Sequence, residues 1–300
     1  MRRVSLVFVL LLGLVLSAGP AFASDELAKY LEGQAAAHFS GEQTVECNTP
    51  DGTISEVTFV RQAAGIRVVE DAAGAVGVTR VSHGRNWTLG DQYRVEFVGI
   101  DRFQSRSVRV VEVIEEGIAR VVLFFDRASG ALYASDVHNG DGSVYCSSRF
   151  QNFDAARPTM SPNLLMGLAA KPGRELEGEV ESFEFPEELA GFRLNEVYRG
   201  PTADVSNGYY GDGIFSFTIF VSDRVIKVPE LADAPVVEIR GGYYQRRFFP
   251  GSVIFSWETK SGGFVLVGDL PLDLQEEVLA ELPAPGRPSF FVRFWRELFG

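Results

Sequence analysis

The 300-residue sequence contains few of the residues from which metal, redox and nucleic-acid sites are built. It has two cysteines, three histidines, and 28 basic residues against 40 acidic ones, so its formal charge is −12. Such an acidic protein lacks the basic surface that nucleic-acid binding requires, and we expect no nucleic-acid partner. The histidines are isolated in the sequence, with no second ligand three or four residues away, so we expect no metal site.

Catalytic signatures are also missing, because the sequence has no P-loop and no GxGxxG, HExxH or GxSxG motif. Glu115 with Glu116, and Glu187 with Glu188, lie beside predicted turns, where solvated carboxylates are more common than a catalytic pair. We therefore expect no catalytic residues and no cofactor, and we interpret the chain as a binding protein. An exported enzyme with a polar cleft that no motif reveals is the weaker alternative.

The sequence begins with the pattern of a secretory signal peptide. Arg2 and Arg3 precede a 13-residue apolar run over residues 4–16, which is short for a membrane span. Residues 21–23 (AFA) match the small-x-small cleavage pattern, so we place the signal peptide at residues 1–23 and the mature start near Ser24. The mature chain then has 26 basic and 40 acidic residues, a charge of −14. We expect an exported protein, in the periplasm or outside the cell envelope; an uncleaved anchor is the alternative.

Cys47 and Cys146 are the only cysteines. In an exported chain an even pair is more often bridged than free, so we predict a Cys47–Cys146 disulfide. The closed loop of about 100 residues corresponds to roughly 4.7 kcal/mol in the chain-entropy model. Two buried thiols are the alternative, and the spacing excludes a CxxC redox pair.

One helix followed by about nine short strands is predicted for the first half of the chain. The helix covers residues 25–37, where Leu27, Tyr30 and Leu31 have helical spacing. The strands lie between residues 42 and 147, and short turns join most of them. Because parallel strands need long crossovers, we predict a single curved antiparallel meander.

Two of these strands, at residues 108–114 and 118–125, do not alternate between apolar and polar residues. Both faces carry apolar side chains, with Arg120 as the one polar exception in the second strand. The N-terminal helix covers part of one face. The other face then needs a lipid, a partner, the second domain or barrel closure, unless both faces are covered by an internal core.

Residues 154–180 contain repeated prolines and glycines and are interpreted as a linker between a first domain at residues 24–153 and a second at 181–283. The second domain is predicted to combine strands, including one at 214–221, with a final helix at residues 272–282. The tail at residues 284–300 is aromatic and locally basic. It would dock on a partner, lie peripherally on a membrane, or pack on its own domain.

Segments in both predicted domains resemble the MucB/RseB family, exported regulators of the envelope-stress sigma factor pathway. In the first domain these include residues 39–45 (FSGEQTV) and 125–132 (FDRASGAL). In the second domain they include residues 210–221 (YGDGIFSFTIFV) and 265–271 (VLVGDLP), which precede the last helix. The order of these segments along the chain follows the family pattern.

The resemblance implies a mainly β fold with α (α+β): a curved antiparallel half-barrel of the lipoprotein-carrier type, then a smaller C-terminal α+β domain. It also implies binding to the extracytoplasmic domain of an anti-sigma factor, with release by a lipid-like ligand. A periplasmic or extracellular lipid or lipoprotein carrier is the alternative function. The family has helices inserted over the cavity, but residues 87–93 leave almost no room for them here. The resemblance assigns no ligand-binding residues.

Overall fold

The computed structural model describes residues 24–74, 76–80, 89–159, 183–199 and 205–286. Contacts between residues divide the chain into two compact units. Unit 1 comprises Met1–Pro172, Gly211–Ser216 and Pro250–Ser252, and unit 2 comprises Gly173–Tyr210, Phe217–Phe249 and Val253–Gly300. The predicted signal peptide, nearly all of the predicted linker and most of the aromatic tail lie outside the described residues. No helix within the described ranges combines the length and apolarity needed to cross a membrane.

In the part of unit 1 that the structure describes there are one helix and a nine-stranded antiparallel sheet. The helix is α1 (Ser24–Ala36), and the strands are β1 (Phe39–Thr49), β2 (Gly52–Ala63), β3 (Ile66–Asp71), β4 (Val76–Arg80), β5 (Tyr93–Phe103), β6 (Arg106–Glu115), β7 (Ile118–Asp126), β8 (Leu132–His138) and β9 (Val144–Asp154). The helix and all nine strands correspond to elements predicted from the sequence, mostly within a few residues. Two-residue turns at Glu116 and Gly117, and at Ala64 and Gly65, have positive φ at both positions. This is the geometry that favours tight hairpins.

The strand order differs from a simple meander. The order is β4-β3-β2-β1-β9-β8-β7-β6-β5, so the first and last strands pair at the centre and β4 and β5 lie at opposite edges. β1 and β9 are antiparallel and bring Cys47 directly opposite Cys146. The prediction of a single meander is therefore wrong. The sheet consists of two meanders, β1 to β4 and β5 to β9, joined by the β1–β9 pair. The sheet is open, as expected of a half-barrel.

Helix α1 is held on the sheet by a buried apolar stripe and by one polar side chain at its carboxyl end. Leu27 and Leu31 are fully buried, as their helical spacing predicts. The Gln62 amide donates hydrogen bonds to the carbonyl oxygens of Gln34 (2.5 Å) and Ala37 (3.4 Å). Gln62 thus binds carbonyl groups at the helix end, which otherwise lack partners within a helix. Arg67 donates to the Gln62 carbonyl oxygen at 2.9 and 3.0 Å, and this fixes the amide orientation.

The second sheet is also antiparallel, and residues 183–199 and 205–286 form eight strands of it, in the order β10-β11-β12-β13-β17-β16-β15-β14. Its elements are β10 (Glu188–Leu189), β11 (Phe192–Arg199), β12 (Val205–Gly211), β13 (Ser216–Ser222), a 3₁₀ turn (Pro229–Leu231), β14 (Val236–Ile239), β15 (Gly242–Phe249), β16 (Ser252–Glu258), β17 (Gly263–Gly268) and helix α2 (Leu272–Glu281). Helix α2 buries Leu274 and Val278, which the predicted four-residue spacing placed on one side.

The strand predicted at residues 214–221 is shorter at its start. Asp212 accepts hydrogen bonds from the backbone N–H groups of Ile214 and Phe215, both at 2.7 Å. These bonds form a turn, so the ladder begins only at Ser216. The glycine- and tyrosine-rich segment before it forms most of β12.

Candidate ligand-binding and partner-binding surfaces

Both faces of β6 and β7 are largely covered by residues of unit 1 itself. On one face, Tyr30 of α1 stacks on Phe125 with ring centroids 5.3 Å apart. On the other, Val108 and Val110 are buried in an apolar cluster that also contains Phe39. The internal-core alternative therefore describes most of this surface. A foreign molecule is not needed to cover all of it, but a partly exposed rim is left.

This rim, the aromatic rim, consists of Phe103, Phe124, Tyr133 and Phe153. The three phenylalanines are half-buried, whereas Tyr133 is 3 % exposed. Ring centroids lie 5.1 Å apart for Phe103 and Phe124, 6.1 Å for Phe103 and Tyr133, and 5.3 Å for Tyr133 and Phe153. These separations are typical of interacting aromatic pairs. Burial raises the pKa of the Tyr133 phenol, with Arg106 opposing this effect.

Arg106 connects the aromatic rim to a turn that belongs to one of the recognised sequence segments. Its guanidinium lies 4.5 Å from the Phe153 ring centroid, and Nε donates to Asp126 at 2.9 Å. Asp126 is itself buried and accepts from the Ser129 amide (2.9 Å) and hydroxyl (2.7 Å). The turn at residues 125–132 therefore fixes the carboxylate that orients Arg106. In this position Arg106 makes cation–π contact with the rim.

Arg149 plays the same part on the neighbouring strands. Its guanidinium lies 5.2 Å from the Phe103 centroid and 5.7 Å from the Phe124 centroid. It is held by an ion pair with Asp136 and by a 2.6 Å hydrogen bond to the Ser135 carbonyl oxygen. The aromatic rim is thus an apolar surface bordered by two guanidinium groups, each paired with an aspartate.

Arg120 is an internal structural residue. The pairing between β6 and β7 shifts between Val113 and Ile114, and this places Arg120 in a bulge. Its side chain is 2 % exposed, and Nε lies 3.2 Å from the Glu115 carboxylate. Glu115 was interpreted as one of a pair of solvated corner residues, but its carboxylate is three-quarters buried and pairs with Arg120. The bulge explains why a polar residue interrupts the apolar strand.

Strand β5 presents an exposed apolar edge. Phe97, Val98 and Ile100 are 47 %, 58 % and 57 % exposed. Among the described residues β5 pairs on one side only, with β6, and a bulge at Val98 interrupts that pairing. An open strand edge with large apolar side chains is the kind of surface to which an extended peptide adds as a further strand. We call residues 97–100 the β5 edge.

A buried acid lies elsewhere in unit 1, in the segment Gly211–Ser216. Asp212 is 4 % exposed and accepts a 2.7 Å hydrogen bond from the Tyr93 hydroxyl. Burial raises the pKa of the Asp212 carboxyl, although its hydrogen bonds from Tyr93, Phe215 and Ile214 act against that shift. Burial also raises the pKa of the Tyr93 phenol well above its ordinary value, and Asp212 adds to that effect. Asp212 thus links Tyr93 to the turn that precedes β13.

The structure joins Cys47 and Cys146 by a disulfide, and both residues are buried. The bond crosses the central β1–β9 pair. No group of three or more histidine, cysteine, aspartate or glutamate side chains within the described ranges is arranged to hold a metal ion. Reasoning from the sequence missed the aromatic rim and the β5 edge. Phe103 and Phe153 lie about 50 residues apart in the sequence and come close only through the sheet. The apolar run at residues 97–100 is visible in the sequence, at the end of a strand predicted at residues 93–100.

No family model matches the chain, and no curated protein sequence matches it. Its two antiparallel sheets, the first an open nine-stranded sheet with an N-terminal helix, define a mainly β, α+β protein. Among solved structures, the crystal structure of MucB in complex with MucA(peri) is similar, with a TM-score of 0.52 and 21 % identity. The similarity covers 88 % of this chain and 100 % of that one. The predicted resemblance to the MucB/RseB family is thus confirmed in the fold.

Two other solved structures illustrate the range of similarity. The complex of Pseudomonas aeruginosa MucA and MucB has a TM-score of 0.47 and 20 % identity, covering 89 % of this chain and 100 % of that one. A putative outer-membrane lipoprotein-sorting protein domain from Vibrio parahaemolyticus has a TM-score of 0.23 and 11 % identity, covering 49 % of this chain and 98 % of that one. Both scores are too low to support an inference about function.

Proposed function

We propose that this chain is an exported regulatory binding protein that binds the extracytoplasmic domain of an anti-sigma factor and so controls an envelope-stress sigma factor. The observation that supports this proposal most is the extent of the fold similarity. It covers the whole of a MucB chain crystallised in complex with MucA(peri), and so is not limited to a half-barrel domain. Binding without catalysis also agrees with a sequence in which no catalytic motif is found. The disulfide agrees with export to an oxidising compartment.

Within this proposal the partner binds at the β5 edge. The peptide backbone would supply hydrogen bonds to the open side of β5, and apolar side chains would cover Phe97, Val98 and Ile100. Exposed apolar groups clustered on one edge strand are unusual in a protein without a partner, because such edges promote aggregation. The edge thus provides both backbone and apolar contacts for an extended segment.

The test is calorimetric titration of this protein with the purified extracytoplasmic segment of an anti-sigma factor encoded beside its gene. We expect wild-type binding in the micromolar range or tighter. Val98→Asp with Ile100→Asp should weaken it at least tenfold, because charged groups would have to be buried in the contact. Val57→Asp is the matched control, since Val57 is 51 % exposed on β2, away from the edge. If the wild-type protein does not bind the segment at tens of micromolar, the proposed function is refuted. If the edge variant binds as tightly as the wild type, the partner binds at a surface other than the β5 edge.

A lipid or lipoprotein carrier is the second candidate function, and the aromatic rim is the observation that favours it. The half-buried phenylalanines match an acyl chain, and two guanidinium groups, each paired with an aspartate, border them. The matching experiment is mass spectrometry of lipids that copurify with the protein, together with titration of a fluorescent fatty acid. Phe124→Ser should lower the affinity for the probe at least fivefold, and the exposed-residue variant Val57→Ser should not. A lipid-free protein that does not bind the probe contradicts this function.

A further inference from the structure

A second concave surface lies wholly in unit 2, between residues 225–232 and the strands β14 to β16. It has a volume of about 710 Å³. Its walls are mainly apolar and include Ile226, Val228, Leu231, Tyr243 and Trp257. This volume is in the range of sites that hold a few side chains or one small ligand. We call it the unit 2 groove.

The described chain ends in the wall of this groove. The Trp257 indole N–H donates to the Pro283 carbonyl oxygen at 2.9 Å, and the Gly286 N–H donates to the Glu258 carbonyl oxygen at 2.8 Å. Pro285 and Gly286 themselves line the groove. Residues 283–286 are therefore fixed along β16, and they deliver residue 287 to the rim.

The next 14 residues have the composition that the groove would accept. Residues 287–300 contain five aromatic residues and one leucine, with three arginines and one glutamate. The first aromatic residue, Phe290, is four residues beyond Gly286, within about 14 Å of extended chain. A segment tethered this closely has an effective concentration near millimolar, so even weak contacts suffice to hold it.

Few charged residues line the groove. Glu258 lies in the wall, and Glu238 is paired opposite Tyr243 in the β14–β15 hairpin. Lys227 is the single basic residue among those that line the groove within the described chain. Glu258 and Lys227 balance in charge, so the groove offers mainly apolar contacts to an aromatic segment, with Glu258 as the acidic partner for one of its arginines.

We propose that residues 290–299 of this chain bind in the unit 2 groove, so that the groove is an intramolecular docking site for an aromatic, basic peptide. The inference does not depend on the proposed function. Residues 287–300 were interpreted from the sequence as part of a segment that docks on a partner, lies on a membrane or packs on its own domain. The position of Gly286 and the chemistry of the groove favour the last of these.

Limited trypsin digestion of the full chain tests this proposal, because the bonds after Arg293 and Arg296 release fragments that intact-mass spectrometry identifies. When docking equilibrates faster than cleavage, the cleavage rate follows the undocked population. Val225 and Val236 line the groove and are 55 % and 37 % exposed, so Val225→Asn with Val236→Asn alters the walls without emptying a core. We expect this variant to be cleaved at least tenfold faster after Arg293 and Arg296.

A tail variant and a control complete the experiment. Phe291→Ser with Trp295→Ser should accelerate cleavage similarly, and combining both sets should add less than twofold, since both remove the same contact. Val197→Asn, in β11 at the other end of the sheet, should be cleaved like the wild type. If the groove variant has a lowered unfolding midpoint, Glu258→Gln replaces it, with an expected acceleration of about two- to fivefold that disappears at high salt.

Two results would overturn the proposal. One is equal cleavage of the wild type and the groove variants, which assigns the groove to another ligand. The other is protection that rises with protein concentration, which assigns the contact to a second copy of the chain.

Discussion

Loss of the Cys47–Cys146 disulfide is predicted to destabilise unit 1 by about 4–5 kcal/mol. The bond joins β1 to β9 at the centre of the sheet, across a sequence separation of 99 residues. In the chain-entropy model a closed loop of this length restricts the unfolded chain by roughly 4.7 kcal/mol at 25 °C. Since a domain of this size is stable by only about 5–15 kcal/mol, reduction removes a large share of the total.

Reduction is a better perturbation than replacement. Cys47 and Cys146 are 0 % and 7 % exposed, so changing both to alanine would also remove buried sulfur atoms and add a cavity term. The reduced thiols keep that volume, and the effect then comes mainly from the unfolded chain. We expect the double alanine variant to be somewhat less stable than the reduced wild type.

The assay is urea unfolding followed by circular dichroism, with and without reductant. The reduced protein should unfold at lower urea, with a larger m-value, because an unfolded chain without the cross-link exposes more surface. Trp257 is buried in unit 2 and serves as an internal control. In a Trp87→Phe, Trp295→Phe background, the transition reported by its emission should not move on reduction, if the units unfold independently.

A loss below about 1 kcal/mol on reduction would refute this reasoning. It would mean that the β1–β9 contact persists in the unfolded chain, so that the disulfide restricts little that was free.

Three further predictions concern buried charges. Glu115→Gln should lower the free energy of unfolding by up to about 3 kcal/mol, because it leaves the buried Arg120 guanidinium without its carboxylate. Arg120→Met should cost less, because it removes the buried charge itself. Equal losses in thermal unfolding would contradict the assignment of this ion pair. The raised pKa of Asp212 means that the folded protein binds its proton more tightly than the unfolded chain, so stability should fall as the pH rises from about 4 through the folded pKa. Asp212→Asn should flatten that part of a stability–pH profile, and an unchanged profile would count against the assignment. Asp126→Ala should cost about 1–3 kcal/mol in chemical denaturation, because Arg106 and Ser129 lose their shared acceptor; a loss within error would contradict this role.

The sequence by itself determined the elements of unit 1. Apolar runs separated by turns marked all nine strands, and helical spacing at Leu27 and Leu31 marked the helix. These signals are local, since strand and helix periodicity are set by neighbouring residues. The two-residue strand β10 and the four-residue strand β14 escaped prediction because such short segments carry little periodicity.

Only the tertiary structure decided how those strands pair and which surfaces stay open. Pairing of β1 with β9 joins residues about 100 positions apart, and no local pattern specifies it. Phe103, Tyr133 and Phe153 lie on β5, β8 and β9 and meet in the aromatic rim only once this part of the sheet is assembled. The β1–β9 pairing places β5 at one end of the strand order, which leaves residues 97–100 on an edge. At the bulges at Val98 and Arg120, the alternation of side chains between the two faces of the sheet is interrupted. Counting every second residue along the sequence therefore does not predict which side chains are buried. Burial is a property of the assembled sheet, because it depends on what lies opposite each residue.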